Sequence, residues 1–199
     1  LALRTDALVL AAGAGARFGG GKLLAPYAGG PLLEGALGAA LAGPARRVLV
    51  VWGADPRVGV AAGAFARRIG AEARLQLVHA PRHGEGLSAS LVAGVKALPE
   101  DGEAVFVHLG DMPRTPPALA PKLMAALAAG AAAAAPTFAG RRGHPVLFAR
   151  ALWPELLRLA GDKGAGDLLA DLGDRLALVP AEDDGVLFDV DRPLDLEGP

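Results

Sequence analysis

Short apolar runs separated by longer mixed stretches set the rhythm of this chain. The runs Ala7–Ala11, Arg47–Trp52, Leu75–His79, Ala104–Leu109, Ala131–Phe138 and Val186–Val190 have strand length and little polar alternation. That is the pattern of strands covered on both faces. Between them, stretches near Pro31–Ala42, Pro56–Gly70, Ser88–Leu98, Pro116–Ala129, Ala149–Ala160 and Gly164–Leu172 predict helices. Thr115 before Pro116 marks a helix start, because Thr caps free amides and Pro suits the first turn. Alternating strands and helices predict an α/β sandwich around a mostly parallel sheet. Arg141-Arg142-Gly143, between two apolar runs, predicts a turn and an antiparallel piece beside it.

Length and composition narrow this picture. The 199 residues, with no internal repeat or long linker, predict one domain over 1–199. Apolar residues make up 52 %, but much of that is alanine, and aromatics reach only 5 %, so Leu and Val must build the core. A net charge of -1 provides no field to attract nucleic acid or a membrane surface. The absence of cysteine excludes disulfides and thiolate chemistry and fits a reducing cytoplasmic setting. The leading apolar segment, Leu1 to Gly13, is broken by Arg4 and Asp6 before a signal-peptide core forms. The uncharged stretch Leu123–Gly140 approaches the roughly 18 residues of a membrane span. Gly130 and Pro136 interrupt it, so the end of a helix followed by a buried strand is expected.

The candidate chemistry begins after the first strand. Leu10-Ala11-Ala12-Gly13-Ala14-Gly15-Ala16-Arg17-Phe18-Gly19-Gly20-Gly21-Lys22 combines glycines, which let backbone amides approach phosphate oxygens, with two cations. A dinucleotide-binding fingerprint fits poorly, since Gly13, Gly15 and Gly19 are one residue off its spacing. A P-loop also fits poorly: Ala16 replaces its first Gly, and Leu23 its magnesium-binding hydroxyl. A nucleotidyltransferase loop is the third reading, with Arg17 and Lys22 facing a triphosphate. In a chain with 28 glycines, a plain solvated loop competes with all three.

A second site signal follows the fourth strand, where Gly110-Asp111-Met112-Pro113 places a carboxylate at its carboxyl end. Ligands of open α/β sheets gather there, and Mg²⁺ favours one or two carboxylates plus phosphates. A turn before Pro113 is the bland alternative. Asp189-Val190-Asp191-Arg192-Pro193 offers a second carboxylate, and period-two alternation does not choose between Asp189 and Asp191. Ser88 suits either ligand contact or an N-cap. His108 reads as a satisfied core histidine, Arg67-Arg68 as a solvated face, and His79 and His83 lack zinc-ligand spacing.

Taken together and in order, these pieces resemble the MobA-like NTP transferase family, and within it the molybdenum cofactor cytidylyltransferases. The resemblance runs from Leu-Ala-Ala-Gly at 10–13, with Arg17, Gly19 and Lys22, through Gly86-Leu87-Ser88-Ala89-Ser90-Leu91 and Gly110-Asp111-Met112-Pro113. It continues through Gly143-His144-Pro145-Val146-Leu147-Phe148, Gly161-Asp162-Lys163-Gly164-Ala165 and Asp189-Val190-Asp191-Arg192-Pro193. It implies a three-layer α/β/α Rossmann-like sandwich with the loop around a triphosphate. It implies Mg²⁺ on Asp111 and Asp191, and Arg17, Lys22 and Asp111 as catalytic residues. Leu10, Ala11, Ala12, Gly13, Ala14 and Gly15, with Ser88 and Ser90, would bind the nucleotide, and Ala12 points to CTP. His144 and Arg142 would face the acceptor, a phosphorylated pterin, with a molybdoenzyme or its chaperone as a partner. Ala80, Gly15 and Gly166 depart from the usual pattern, the last bearing on substrate identity.

Overall fold

Strand β1 (Thr5–Ala11) is buried along its whole length, and its alternate residues enter two different cores. Ala7, Val9 and Ala11 face one side; Leu8 and Leu10 face the other. This computed structural model describes residues 3–197, so positions 1 and 2 of the leading apolar segment lie outside the described residues.

The strands that follow are a small hairpin, β2 (Pro26–Tyr27) and β3 (Gly30–Pro31), then β4 (Val48–Trp52), β5 (Leu75–His79) and β6 (Ala104–Leu109). Later come β7 (Ala133–Phe138), β8 (Arg141–Arg142), β9 (Val146–Ala149) and β10 (Leu176–Pro180). The helices are α1 (Leu33–Ala42), α2 (Arg57–Arg68), α3 (Leu87–Lys96), α4 (Leu119–Ala128), α5 (Trp153–Leu156) and α6 (Gly166–Asp171).

The main sheet runs β10-β7-β9-β6-β1-β4-β5, with β8 paired to β7. Pairings of β1 with β4 and β6, β4 with β5, and β7 with β10 are parallel; β9 runs antiparallel between β6 and β7. Helices α1, α2 and α4 cover one face through Leu37, Ala62 and Leu123. Helices α3, α5 and α6 cover the other through Leu91, Leu156 and Leu169. The protein is therefore a three-layer α/β/α Rossmann-like sandwich with a mostly parallel sheet. No helix among the described residues is long and apolar enough to cross a membrane. The uncharged 123–140 stretch divides into the end of α4 and the buried strand β7.

Several elements differ from their sequence pattern. Val186–Val190 is not a strand: Asp183 accepts from the Gly185 amide and turns the chain. Its backbone then bonds to two separate loops, accepting from the His144 amide at 2.9 Å and donating to the Asp111 carbonyl at 3.0 Å. The expected helix Ala149–Ala160 shrinks to α5, because Val146–Ala149 is consumed by β9 and Pro154 sits in the first turn. Helix α4 begins at Leu119 rather than Pro116, and the Thr115 hydroxyl donates to the Met112 carbonyl instead of capping it. The turn near Arg141 falls two residues earlier, at Ala139 and Gly140, and Arg141–Arg142 returns as β8. Arg68 is not simply solvated, since it pairs with Glu34 and ties α2 to α1.

The order β6-β1-β4 places a switch point at the carboxyl ends of β1 and β6. The Gly110 amide donates to the Leu10 carbonyl at 2.9 Å, extending that pairing past the last strand residues.

Candidate active site

The loop after β1 owes its shape to glycine. Gly19, Gly20 and Gly21 adopt φ of 92°, 94° and 65°, three successive left-handed residues that other side chains resist. The Phe18 and Gly20 amides donate back to the Gly15 carbonyl at 2.9 and 3.1 Å, folding the loop onto itself. Lys22 packs against Gly15, where a β-carbon would stand 3.0 Å from its own Cβ.

Lys22 is the hub of the site. Its ammonium donates to Asp111 Oδ2 at 2.6 Å and lies 3.6 Å from Asp191 Oδ1. Arg17 Nη1 lies 3.4 Å from Asp191 Oδ2, but its side chain is 84 % exposed against 14 % for Lys22. Lys22 is thus the anchored cation and Arg17 the outer, exposed one. Asp111 sits just beyond β6, and its carbonyl accepts from the Val190 amide, which draws the 189–191 segment alongside it. Asp195 Oδ2 accepts from the Asp191 and Arg192 amides at 2.9 and 2.7 Å. Those amides hold its carboxyl below the usual range and fix the turn that carries Asp191. Desolvation and the like charges of Asp191 and Asp111 push Asp189 above the usual range.

Asp111 and Asp191 therefore meet at one cation, and their oxygens are hard donors. No group of three or more His, Cys, Asp or Glu side chains among the described residues is placed to hold a metal. Two carboxylates, with phosphate and water completing the shell, suit a small divalent ion of the Mg²⁺ or Mn²⁺ kind.

A cavity of about 290 Å³ opens beside this hub, lined by Leu10, Ala11, Ala12, Gly13, Gly15, Lys22, Ser90 and Asp111. Ala14 is exposed and is not among the residues that line it. Ser88 is fully buried behind it with an unpartnered hydroxyl; Gly86, not Ser88, caps α3. A second cavity of about 160 Å³ shares Leu10, Leu87 and Leu109 with the first. Its floor is apolar, with Val107, Val146 and Phe148, and Arg142, His144 and Lys163 supply its polar groups. Burial pushes His144 down to about 4, helped by Arg142 and opposed by Asp111, so its imidazole is neutral at pH 7. His108, read as a satisfied core histidine, instead has an unpartnered buried Nδ1; burial and His144 lower it to about 3.

Sequence reasoning gave no site role to three residues that the fold brings here. Lys163 lay inside a quoted motif without a role, while His83 and Asp195 carried no spacing signal. Only tertiary contacts single them out.

Comparison with known proteins gives a consistent picture. The model of the MobA-like NTP transferase domain matches residues 7–176. The molybdenum cofactor cytidylyltransferase of Escherichia coli K12 is 26 % identical over 96 % of this chain and 92 % of its own. The 2-C-methyl-D-erythritol 4-phosphate cytidylyltransferase of Gloeobacter violaceus is 37 % identical over 61 % of this chain, and the match spans about half (51 %) of that relative's length. Among solved structures, the Rv0371c homologue from Mycobacterium sp. strain JC1 superposes with a TM-score of 0.81 at 28 % identity, covering 99 % of this chain and 95 % of that one. Rv0371c of Mycobacterium tuberculosis, solved in complex with manganese, gives 0.69 at 23 % identity over 91 % and 89 % of the two chains.

Proposed function

Because the chain belongs to the MobA-like NTP transferase family, we propose that it transfers a cytidylyl group from CTP to the terminal phosphate of molybdopterin or its metal-bound form. An oxygen of that phosphate bonds to the α-phosphorus, the bond from the α-phosphorus to the bridging oxygen breaks, and pyrophosphate leaves with the electron pair. The observation that carries this reading is Lys22 held between Asp111 and Asp191 at the mouth of the glycine-lined cavity.

In this reading Asp111 and Asp191 hold the divalent ion, as hard oxygen donors do. When bound, that ion supplies positive charge to the nucleotide phosphates. Lys22 exchanges its carboxylate partners for phosphate oxygens, and Arg17, exposed beside it, reaches the departing pyrophosphate. The loop amides add fixed donors to the same charge. Arg142, Lys163 and neutral His144 receive the acceptor in the adjoining cavity, and the apolar ridge of Leu10, Leu87 and Leu109 borders both substrates. A phosphate nucleophile is already ionised at pH 7, so the reaction needs positioning and electrostatics rather than a protein nucleophile.

Ala12 and the two cytidylyltransferase relatives support CTP as donor. The Gloeobacter relative favours one second reading, the same chemistry on a sugar-alcohol phosphate. Pyrophosphate release is measured with CTP, GTP or ATP against molybdopterin or 2-C-methyl-D-erythritol 4-phosphate. The proposal requires CTP with molybdopterin to be the fastest pair; turnover on the sugar-alcohol phosphate alone would transfer it to the second reading.

A further inference from the structure

We propose that Arg114 is a positioning residue that holds the segments carrying Lys22, Asp111 and Asp191 in one frame, an inference that rests on the metal reading of those two carboxylates. Arg114 is not among the residues lining either cavity, so it acts through its neighbours rather than on a substrate. It lies three residues beyond Asp111, half-buried, with its side chain between two segments distant in sequence. Its Nε–H donates to the Tyr27 hydroxyl at 3.0 Å. Its guanidinium carbon stands 3.8 Å from the centroid of the Phe188 ring.

Each contact leads back to the hub. Tyr27 belongs to the β2–β3 hairpin, where it pairs with Gly30. That hairpin is tied to the turn of Lys22: the Leu32 amide donates to the Ala25 carbonyl at 2.9 Å, and the Ala25 amide to the Lys22 carbonyl at 3.1 Å. Phe188 lies three residues before Asp191, on the segment that forms no strand. The Arg114 backbone braces the start of that segment too, since a β-carbon on Gly185 would come within 2.4 Å of the Arg114 carbonyl oxygen. Arg114 thus joins the loop of Asp111 through the chain, the hairpin after Lys22 through its edge, and the approach to Asp191 through its face. Arginine suits this place because its planar head stacks on a ring while its edge still donates. The compact ammonium of lysine does not do both. The sign of the effect separates this role from plain electrostatics. Loss of a positive charge by itself favours a divalent cation, whereas release of the frame lets the carboxylates part and weakens its binding.

The test is Mn²⁺ binding to the protein, read from the loss of the free-ion electron paramagnetic resonance signal, with a thermal melt of each variant. The set is wild type, Arg114→Ala, Arg114→Lys, Tyr27→Phe and Asp111→Ala. Arg114→Ala is expected to bind Mn²⁺ about 10- to 100-fold more weakly than wild type. Arg114→Lys keeps the charge and Tyr27→Phe changes none, yet both should weaken binding in the same direction. Adding Tyr27→Phe to Arg114→Ala should weaken it no further, because the two act through one contact. Should Arg114→Ala fail to fold, Arg114→Lys and Tyr27→Phe carry the same comparison. Wild-type affinity in both of those folded variants, or tighter binding in Arg114→Ala, overturns the role of Arg114 alone. A lowered melting temperature with unchanged affinity assigns the residue to stability and likewise overturns it. A wild type that binds no Mn²⁺, or an Asp111→Ala variant that binds it as wild type does, overturns the metal reading and this proposal with it.

Discussion

The backbone amide of Val190 donates to the carbonyl of Asp111 at 3.0 Å and draws the segment carrying Asp191 alongside Asp111. Asp111 follows a fully formed strand, whereas Asp191 lies on an irregular segment without ladder partners. Its position depends on that bond, on the pairing of His144 with Val186, and on the two amides gathered by Asp195.

Asp195→Ala is therefore expected to weaken divalent-metal dependence more than the reaction itself. Losing a group that orients a ligand typically costs about 10- to 100-fold in metal affinity. Titrating activity with Mg²⁺ checks this: half-saturation should shift upward while the rate at saturating metal stays near wild type.

Gly143→Ala tests the same segment from the acceptor side. A β-carbon there would stand 2.1 Å from the Val186 carbonyl oxygen, a backbone atom with no freedom to rotate away. Overpacking of this kind costs roughly 1–3 kcal/mol. Urea denaturation should show that loss, together with weaker acceptor use as Val186 is displaced. A midpoint equal to wild type would mean the contact is slack.

His108, buried, and His144, half-buried at the acceptor cavity, make stability depend on pH in a stated direction. His108 and His144 fall from 6.5 to about 3 and about 4, chiefly through burial, so the unfolded chain binds more protons below 6.5. Their contribution is intact above pH 6.5 and declines as pH falls through 6.5 towards 4 and then 3. Thermal melts of wild type and His108→Leu across pH 4–7.5 should converge at acid pH in favour of the variant. Parallel profiles would show that His108 is protonated alike in both states.

Much of this was legible in the chain because its signals are local. The glycine loop, Asp111 after its strand, and the helix–strand rhythm each occupy consecutive residues. Strand β10 escaped notice because it lies at the sheet edge half exposed, with Leu178 outward, so its apolar run is short and mixed although Gly173-Asp174 and Asp183-Asp184-Gly185 bracket it. Val186–Val190 looked like a strand because its residues are mostly apolar at strand spacing, and both valines do join the core, yet its backbone bonds to loop groups rather than to a strand ladder. His83 packs against Gly53, and Asp195 accepts from the amides at 191 and 192, relationships that only the folded chain creates.

Lys22→Ala separates the two roles of the hub. The ammonium neutralises Asp111 and Asp191 at rest and, in the proposed reaction, stabilises charge on the phosphates. The rate should fall by about 100- to 1,000-fold, the range for removing one preorganised donor. Metal affinity should hold or rise, because two carboxylates lose their competing cation. Weaker metal binding in this variant would contradict that division of labour.

The most direct test of the central claim is pyrophosphate release from CTP, with Mg²⁺ and molybdopterin, by wild type and Asp111→Ala. The expected result is one pyrophosphate per acceptor consumed by wild type. The variant should show none above background while its circular dichroism and melting profile stay those of a folded protein. Wild-type turnover in Asp111→Ala, or no release from any nucleoside triphosphate by the wild-type protein, would contradict the account.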